Sequence, residues 1–114
     1  MKDKFKVSFK GLIGVFSHGS FLIQVILGIL TCIFFAFLKI SYVEWLLVIM
    51  LITLVLVCEF INTIIEMIID LYTPYYDEKA GKIKDFASGM VLLSCIFSLI
   101  VGLLIVLHHM EVWL

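Results

Sequence analysis

Four polar residues recur at helical spacing inside and at the end of one long apolar segment. They are Glu59, Asn62, Glu66 and Asp70. At about 100° per residue they fall within roughly 80° of one another on a single helix face, which we call the polar stripe. A carboxylate near the middle of a membrane costs about 2.5 to 3.5 kcal/mol on insertion scales. The stripe therefore predicts a functional site.

The spacing of the two glutamates predicts two different roles. Glu59 and Glu66 are about 10.5 Å apart along a helix axis, which is too far for both to bind one small metal ion directly. Glu66 is the candidate metal ligand, and Gln24 in an earlier apolar segment is a possible second oxygen donor. Glu59 lies among apolar residues and is the candidate general base. Asn62, between them, can orient a carboxylate or a hydroxyl substrate.

The same stripe admits two other interpretations. Its members could hydrogen-bond between helices and fix an oligomer. That interpretation suits Asn62 better than the two glutamates, because neutral groups would make a structural contact at lower cost. The acids could also line an ion or proton channel, which is a function of another class.

A group of lysines precedes the last apolar segment and favours an enzyme over a channel. The group contains Lys79, Lys82 and Lys84, followed by Asp85. Lysines near a helix N-terminus attract phosphate, and an anion site beside carboxylates able to bind Mg²⁺ suits phosphoryl transfer from a nucleotide. The lysines could also be plain topology signals. The sequence has no G-x-x-x-x-G-K-[ST] loop and no protein-kinase motif, so a kinase would be of an unusual type.

The elements that position these residues are predicted from composition. Of the 114 residues, 64% are hydrophobic, and the mean hydropathy is +1.25. Three segments can cross a hydrocarbon core about 30 Å thick, namely 21–38, 45–69 and 86–107. Residues 71–83, which contain the only proline, Pro74, are expected to form a loop of about 13 residues between the last two. An amphipathic helix over about 4–17 is expected on the membrane surface, as an anchor or as a wall of the site. We predict an all-α membrane protein with a single domain over 1–114.

The lysines also predict the orientation of the chain. Four precede the first span and three lie between the second and third spans, whereas one lies between the first and second. By the positive-inside rule the N-terminus and the second connection are cytoplasmic, and the C-terminus is outside. There is no arginine, and the basic residues lie where topology demands them, so nucleic-acid binding is not supported.

An oligomer is expected from the exposure of the polar stripe. Three helices cannot both surround the stripe and shield it from lipid, so neighbouring copies should supply the missing wall. Ser94, Ser98 and Gly102 recur at steps of four in the third span, and this pattern predicts a packing face, because such small residues let membrane helices approach closely.

Two sequence blocks resemble a known family, the small bacterial membrane diacylglycerol kinases and undecaprenol kinases. Residues 59–70, EFINTIIEMIID, are similar to the family signature E-x-x-N-[ST]-A-I-E-x-x-x-D. Residues 81–93, GKIKDFASGMVLL, resemble a second block in which K-D precedes a small-residue run and A-V-L. The chain length, the three spans and the N-terminal surface helix agree with the family, so the resemblance covers almost the whole chain.

This resemblance implies a homotrimer in the bacterial cell membrane that transfers the γ-phosphate of MgATP to a lipid hydroxyl. By similarity Glu59 is the general base, Glu66 is a Mg²⁺ ligand, and Asn62 and Asp70 organise the site. In the second block the lysines contact the nucleotide phosphates, the glycine allows close approach, and the aspartate helps to organise the site. These residues are Gly81, Lys82, Lys84 and Asp85.

One segment departs from the family pattern and bears on the metal. Relatives read roughly E-x-N-[FM]-[RK]-I-[HE] before the first span, whereas residues 18–24 here are HGSFLIQ. The position that can hold an acidic metal ligand in relatives is Gln24, whose neutral amide is a weaker ligand for Mg²⁺. His18 is a possible substitute.

The identity of the lipid alcohol stays open between two members of the family. The Thr73-Pro74 pair after the polar helix favours undecaprenol, which would give undecaprenyl phosphate. Diacylglycerol, which would give phosphatidic acid, is the alternative, and a small oligomeric channel or transporter is the alternative of another class.

Overall fold

The computed structural model describes residues 2–75 and 77–110 and contains four α-helices in that part of the chain. Helix α1 is Lys2–Val15, α2 is Gly19–Leu38, α3 is Tyr42–Tyr72 and α4 is Glu78–Met110. By length and composition, α2, α3 and α4 can each cross a membrane. The described residues form no strand. The prediction of an all-helical chain with three membrane-spanning helices is confirmed.

Helix α1 exposes most of its surface. Its phenylalanines Phe5 and Phe9 and its lysines Lys4, Lys6 and Lys10 are all exposed. Val15, at the end of the helix, is the only buried residue among those of α1 whose burial is described. The amphipathic surface role of this helix stays a prediction.

A tight turn joins α2 to α3 and makes them antiparallel neighbours. Lys39 ends α2 in the left-handed conformation, at φ 56° and ψ 56°, and its N–H donates to the Ala36 carbonyl oxygen. Ser41 and Glu44 then form a capping box: the Ser41 hydroxyl accepts from the Glu44 N–H at 3.2 Å, and Glu44 Oε1 accepts from the Ser41 N–H at 2.9 Å. Both bonds satisfy donors that a helix start would leave unpaired.

Helix α3 packs against both α2 and α4. Where α2 meets α3, Gly28 lies so close that a Cβ atom there would be 3.0 Å from Ile52 Cγ2.

The bundle has two halves along its length, which differ in the residues that they bury. The turn half, next to the α2–α3 turn, contains a buried cluster. The site half, at the opposite end, contains the polar stripe. The residues of the buried cluster are Phe35, Ile40, Val48 and Ile105.

The connection between α3 and α4 is shorter than the sequence predicts. The prediction of a loop of about 13 residues over 71–83 is wrong, because only residues 73–77 separate the two helices. Asp77 Oδ1 accepts from the Lys79 N–H at 3.1 Å and so caps the first turn of α4. Charged residues that favour helix follow this cap, and the helix therefore starts well before the apolar span. The lysine group lies on α4 itself.

Candidate active site

The polar stripe of α3 passes from the interior of the bundle to its surface. Glu59 and Asn62 are buried, with 4% and 6% of their surface exposed. Glu66 and Asp70, further toward the end of the helix, are exposed. The candidate base is therefore shielded, whereas the candidate metal ligand is open to the surroundings.

The Glu59 carboxylate has no hydrogen-bond partner within the described ranges, 2–75 and 77–110. Its backbone carbonyl accepts from the Thr63 hydroxyl at 3.0 Å, but this bond leaves the side chain unpaired. A shielded carboxylate without a partner from its own chain is a candidate proton acceptor for a substrate hydroxyl.

Asn62 lies between the two glutamates on the polar stripe and is hydrogen-bonded to one of them. Its Nδ2 donates to Glu66 Oε1 at 3.3 Å. Its Oδ1 is buried and finds no hydrogen-bond partner among the residues that the structure describes. An unpaired carbonyl oxygen beside a carboxylate is an acceptor for a substrate hydroxyl or a ligand for a hard cation.

These oxygens fit Mg²⁺ only in a partial site. No group of three His, Cys, Asp or Glu side chains that could hold a metal occurs in the described part of the chain. Mg²⁺ is commonly held by one or two carboxylates together with substrate phosphates and water. Glu66 and Asn62 Oδ1 therefore suit an ion that arrives with a nucleotide, and they do not form a closed cage.

An ion pair joins the two predicted sequence blocks. Lys84 Nζ on α4 lies 2.5 Å from Asp70 Oδ1 on α3. The side chains are 39% and 65% exposed, so the pair contributes little stability. It holds a cation at the surface end of the polar stripe, where a phosphate could replace the carboxylate as its partner.

The other residues of the second block lie on the first turns of α4. Lys82 and Asp85 are exposed, and Gly81 is half-buried. A Cβ atom at Gly81 would meet no other atom within 4 Å. Packing within the chain thus does not require glycine there, and the open space beside it is consistent with close approach of a ligand.

Gln24 is half-buried and lies level with the buried part of the polar stripe, not with its exposed end. On α2 it stands between Phe21, whose ring contacts Phe60 at a centroid distance of 5.7 Å, and Gly28, which abuts Ile52. Gln24 is therefore level with the stretch 52–60, which contains Glu59, whereas Glu66 is about 9 Å beyond Phe60 along α3. Its amide forms no hydrogen bond within the described residues. Its role as a metal ligand stays a prediction.

Sequence reasoning missed an aromatic contact that supports the site. Phe21 packs edge-on against Phe16 at 5.2 Å and against Phe60 at 5.7 Å. Phe60 adjoins Glu59, so this chain of rings connects the α1–α2 junction to the candidate base. The only signal in the sequence is that Phe21 keeps the family's residue type in a segment that otherwise departs from the pattern.

Two comparisons with known proteins bear on this site. Residues 6–106 match the model of a family described as prokaryotic diacylglycerol kinase. The chain is also 38% identical over 69 residues to the undecaprenol kinase of Bacillus subtilis (strain 168). That match covers 60% of this chain and 56% of the relative, so it spans little more than half of the relative's length.

Proposed function

Since the chain belongs to the prokaryotic diacylglycerol kinase family, we propose that it is a lipid kinase that transfers the γ-phosphate of MgATP to a membrane lipid alcohol. The observation that carries this proposal is the Glu59 side chain, which is buried without a hydrogen bond among the described residues and shares one helix face with the hydrogen-bonded Asn62 and Glu66. One substrate of such a reaction lies in the bilayer and the other in water. The polar stripe runs from the shielded Glu59 to the exposed Glu66 and ends beside the Lys84 cation. It therefore suits a reaction between a substrate in the bilayer and a substrate in water.

Undecaprenol is the proposed acceptor, and diacylglycerol is the alternative. The name of the Bacillus subtilis relative supports the first, and the description of the family names the second. Either lipid offers a hydroxyl group on a hydrophobic tail. The same proton acceptor and phosphate site would serve both.

In the proposed mechanism, Glu59 accepts the proton of the lipid hydroxyl as its oxygen attacks the γ-phosphorus. The new bond joins that oxygen to phosphorus, the bond from phosphorus to the β-phosphate oxygen breaks, and ADP leaves. Asn62 orients the lipid hydroxyl or the Glu66 carboxylate to which it is hydrogen-bonded. Glu66 and the Asn62 carbonyl oxygen would hold Mg²⁺, which would neutralise charge on the phosphates. Lys84 would leave its ion pair with Asp70 and bind a phosphate oxygen of the nucleotide instead.

The remaining second-block residues complete the proposed nucleotide site. Lys82 adds a positive charge, Gly81 leaves room for the phosphates, and Asp85 organises the α4 side of the site. If Gln24 is a further metal ligand, its amide must reach the ion that Glu66 would hold.

We also propose the arrangement of the protein in the bacterial cell membrane. The lysine distribution supports an N-terminus and an α3–α4 connection on the cytoplasmic side, where ATP is present. The C-terminus would then be outside, although its last residues, 111–114, lie outside the described part of the chain. A homotrimer, which the family resemblance implies, would supply further walls to the exposed end of the polar stripe.

Purified protein in phosphatidylcholine vesicles tests this function. With Mg²⁺ and ATP labelled at the γ-position, we expect label on undecaprenol and a slower or absent reaction with dioleoylglycerol. Glu59→Gln should abolish the labelling, whereas Glu44→Gln, at the far end of the same helix, should retain it. A folded wild-type protein that labels neither lipid contradicts the proposal. Ion flux in the absence of ATP would instead support the channel hypothesis.

A further inference from the structure

Two contacts define the register of α3 against α4, one at each end of the helix pair. In the turn half, Glu44 Oε1 lies 2.8 Å from His109 Nε2. In the site half, Lys84 Nζ pairs with Asp70 Oδ1. The two helices are therefore antiparallel neighbours over this whole length. Because each rises about 1.5 Å per residue, the contacts indicate which residue of α4 lies level with each residue of α3 between them.

The register places Ser94 of α4 level with Glu59 of α3. Glu59 lies about 22 Å along α3 from Glu44, and Ser94 lies about 22 Å along α4 from His109. Measured from the contact in the site half, the corresponding distances are about 16 Å and about 15 Å. The two ends of the helix pair thus give the same level for Ser94 to within one residue.

Both residues also lie on the helix faces that pack together. On α3, Glu59 falls in angle between Glu44 and Asp70, which both contact α4. On α4, Ser94 is 6% exposed and falls within roughly 60° of the other buried residues of that helix, such as Val91. A buried hydroxyl therefore lies across the helix interface from the buried acid.

The hydrogen bond that Ser94 makes explains why the two side chains are not bonded to each other. The Ser94 hydroxyl donates its only hydrogen to the Val91 carbonyl oxygen at 2.7 Å, so its oxygen can still accept but has nothing to donate. An ionised Glu59 carboxylate is also only an acceptor. A protonated Glu59 has an O–H, and this group could donate to Ser94 Oγ.

We propose that Ser94 is a positioning residue for Glu59, an inference that rests on the proposed function. When Glu59 takes the proton of the lipid hydroxyl, the O–H bond of the lipid breaks and an O–H bond forms on the Glu59 carboxyl group. That new O–H then donates to Ser94 Oγ, while the Ser94 hydrogen stays on the Val91 carbonyl oxygen. A contact that forms only as the proton arrives accelerates the transfer and adds nothing to the binding of the substrates.

This role differs from the packing role that the small-residue pattern predicts for Ser94. Packing requires a small side chain, which alanine also provides, whereas the proposed contact requires the hydroxyl oxygen. Ser94→Ala therefore separates the two roles. Ser98→Ala is the matched control, because it removes the same group about one turn farther along α4, where the Ser98 hydroxyl donates to the Ser94 carbonyl oxygen at 2.8 Å.

Infrared difference spectroscopy tests the contact without phosphate transfer. Spectra of the full chain in phosphatidylcholine vesicles are recorded at low and at neutral pH, and the carboxylic C=O band that is missing in Glu59→Gln belongs to Glu59. In Ser94→Ala this band should move to a higher wavenumber, since loss of the hydrogen bond strengthens the C=O bond of the acid. In Ser98→Ala it should stay at the wild-type position.

Steady-state kinetics tests the role of the contact in the reaction. With undecaprenol and MgATP, Ser94→Ala should lower kcat about fivefold, as expected for loss of one hydrogen bond in the transition state. The KM values for both substrates should change by less than about twofold. Ser98→Ala should keep kcat within about twofold of the wild type, and thermal unfolding in detergent should show that both alanine variants are folded.

The outcomes distinguish the contact from the function on which it rests. An unmoved Glu59 band in Ser94→Ala, or no acid band of Glu59 at low pH, contradicts the contact. Equal losses of kcat in the two serine variants, an unchanged kcat in Ser94→Ala, or a loss that falls on KM contradicts the role in transfer. A moved band in a wild-type background that phosphorylates neither undecaprenol nor dioleoylglycerol upholds the contact and overturns the kinase proposal.

Discussion

Two glutamates on α3 have opposite surroundings, although the same helix carries both. Glu44, in the turn half, accepts from the Ser41 N–H at 2.9 Å, and its Oε1 lies 2.8 Å from His109 Nε2 on α4. Glu59, in the site half and about 22 Å along the helix, has no side-chain partner among the described residues. The side chain of Glu44 is hydrogen-bonded within its own chain, and that of Glu59 is not.

The difference separates a polar group that stabilises the fold from one that is available for chemistry. Glu44 caps the start of α3 and connects it to the last turn of α4, next to the buried cluster around Phe35 and Val48. Glu59 has no comparable side-chain contact among the described residues. The turn half can hold the helices together while the site half keeps an acid unpaired. Substitutions of the two acids should therefore have opposite consequences for activity and stability.

The largest effect on activity is expected from Glu59→Gln. If Glu59 is the general base, as we propose, its loss should lower kcat by about 10² to 10⁴. Glutamine is neutral and nearly the same size, so the variant should unfold at the same temperature as the wild type or a higher one. Transfer of labelled phosphate to undecaprenol measures the rate, and thermal unfolding in detergent measures stability.

Glu44→Gln is the matched control, because it makes the same chemical change on the same helix. The comparison breaks down if Glu59→Gln retains more than about a tenth of the rate. It also breaks down if the two variants lose activity equally.

The next largest effect is expected from Glu66→Gln. The Asn62 Nδ2 donor keeps an acceptor at position 66, so the bond between these residues can persist. Loss of the carboxylate should raise the Mg²⁺ concentration for half-maximal rate by about tenfold, or roughly 1.4 kcal/mol of binding free energy. Initial rates over a Mg²⁺ titration at saturating ATP measure this change. An unchanged Mg²⁺ dependence would contradict the proposed role of Glu66 as a metal ligand.

A smaller effect is expected at the Asp70–Lys84 pair. Lys84→Met should raise the KM for ATP about fivefold, equivalent to roughly 1 kcal/mol, with little effect on the KM for the lipid. Stability should hardly change, since the pair is exposed. Lys79→Met is the control, because Lys79 is an exposed lysine of the same helix. If Lys84→Met and Lys79→Met change the KM for ATP equally, the effect comes from loss of positive charge on α4 in general and not from a contact at Lys84.

The sequence predicts the parts of this molecule that follow from local periodicity. Hydropathy reveals the three spans because each must satisfy its backbone inside a hydrocarbon layer. The polar stripe is readable from 59 to 70 because helical geometry alone puts those residues on one face. Neither inference requires knowledge of a second helix.

Contacts between helices were not readable, since they depend on how one helix is shifted along another. The Phe21–Phe60 contact, the approach of Gly28 to Ile52 and the pairing of Glu44 with His109 each join residues far apart in sequence. The predicted loop over 71–83 is wrong for another reason. Polar residues end a hydrophobic span, but they do not end a helix.

The smallest effect on activity is expected in the turn half. Glu44→Ala removes both the cap of the Ser41 N–H and the contact with His109, and should lower the free energy of unfolding by about 1 to 2 kcal/mol. Glu44→Gln should lower it less, because a glutamine oxygen can still accept from the Ser41 N–H. Denaturant titration in detergent micelles measures both values, and the rate of phosphate transfer by the folded protein should stay within about twofold of the wild type. Combining each variant with His109→Ala isolates the contact between α3 and α4. A lowered rate at unchanged stability would assign Glu44 to the chemistry and remove the contrast with Glu59.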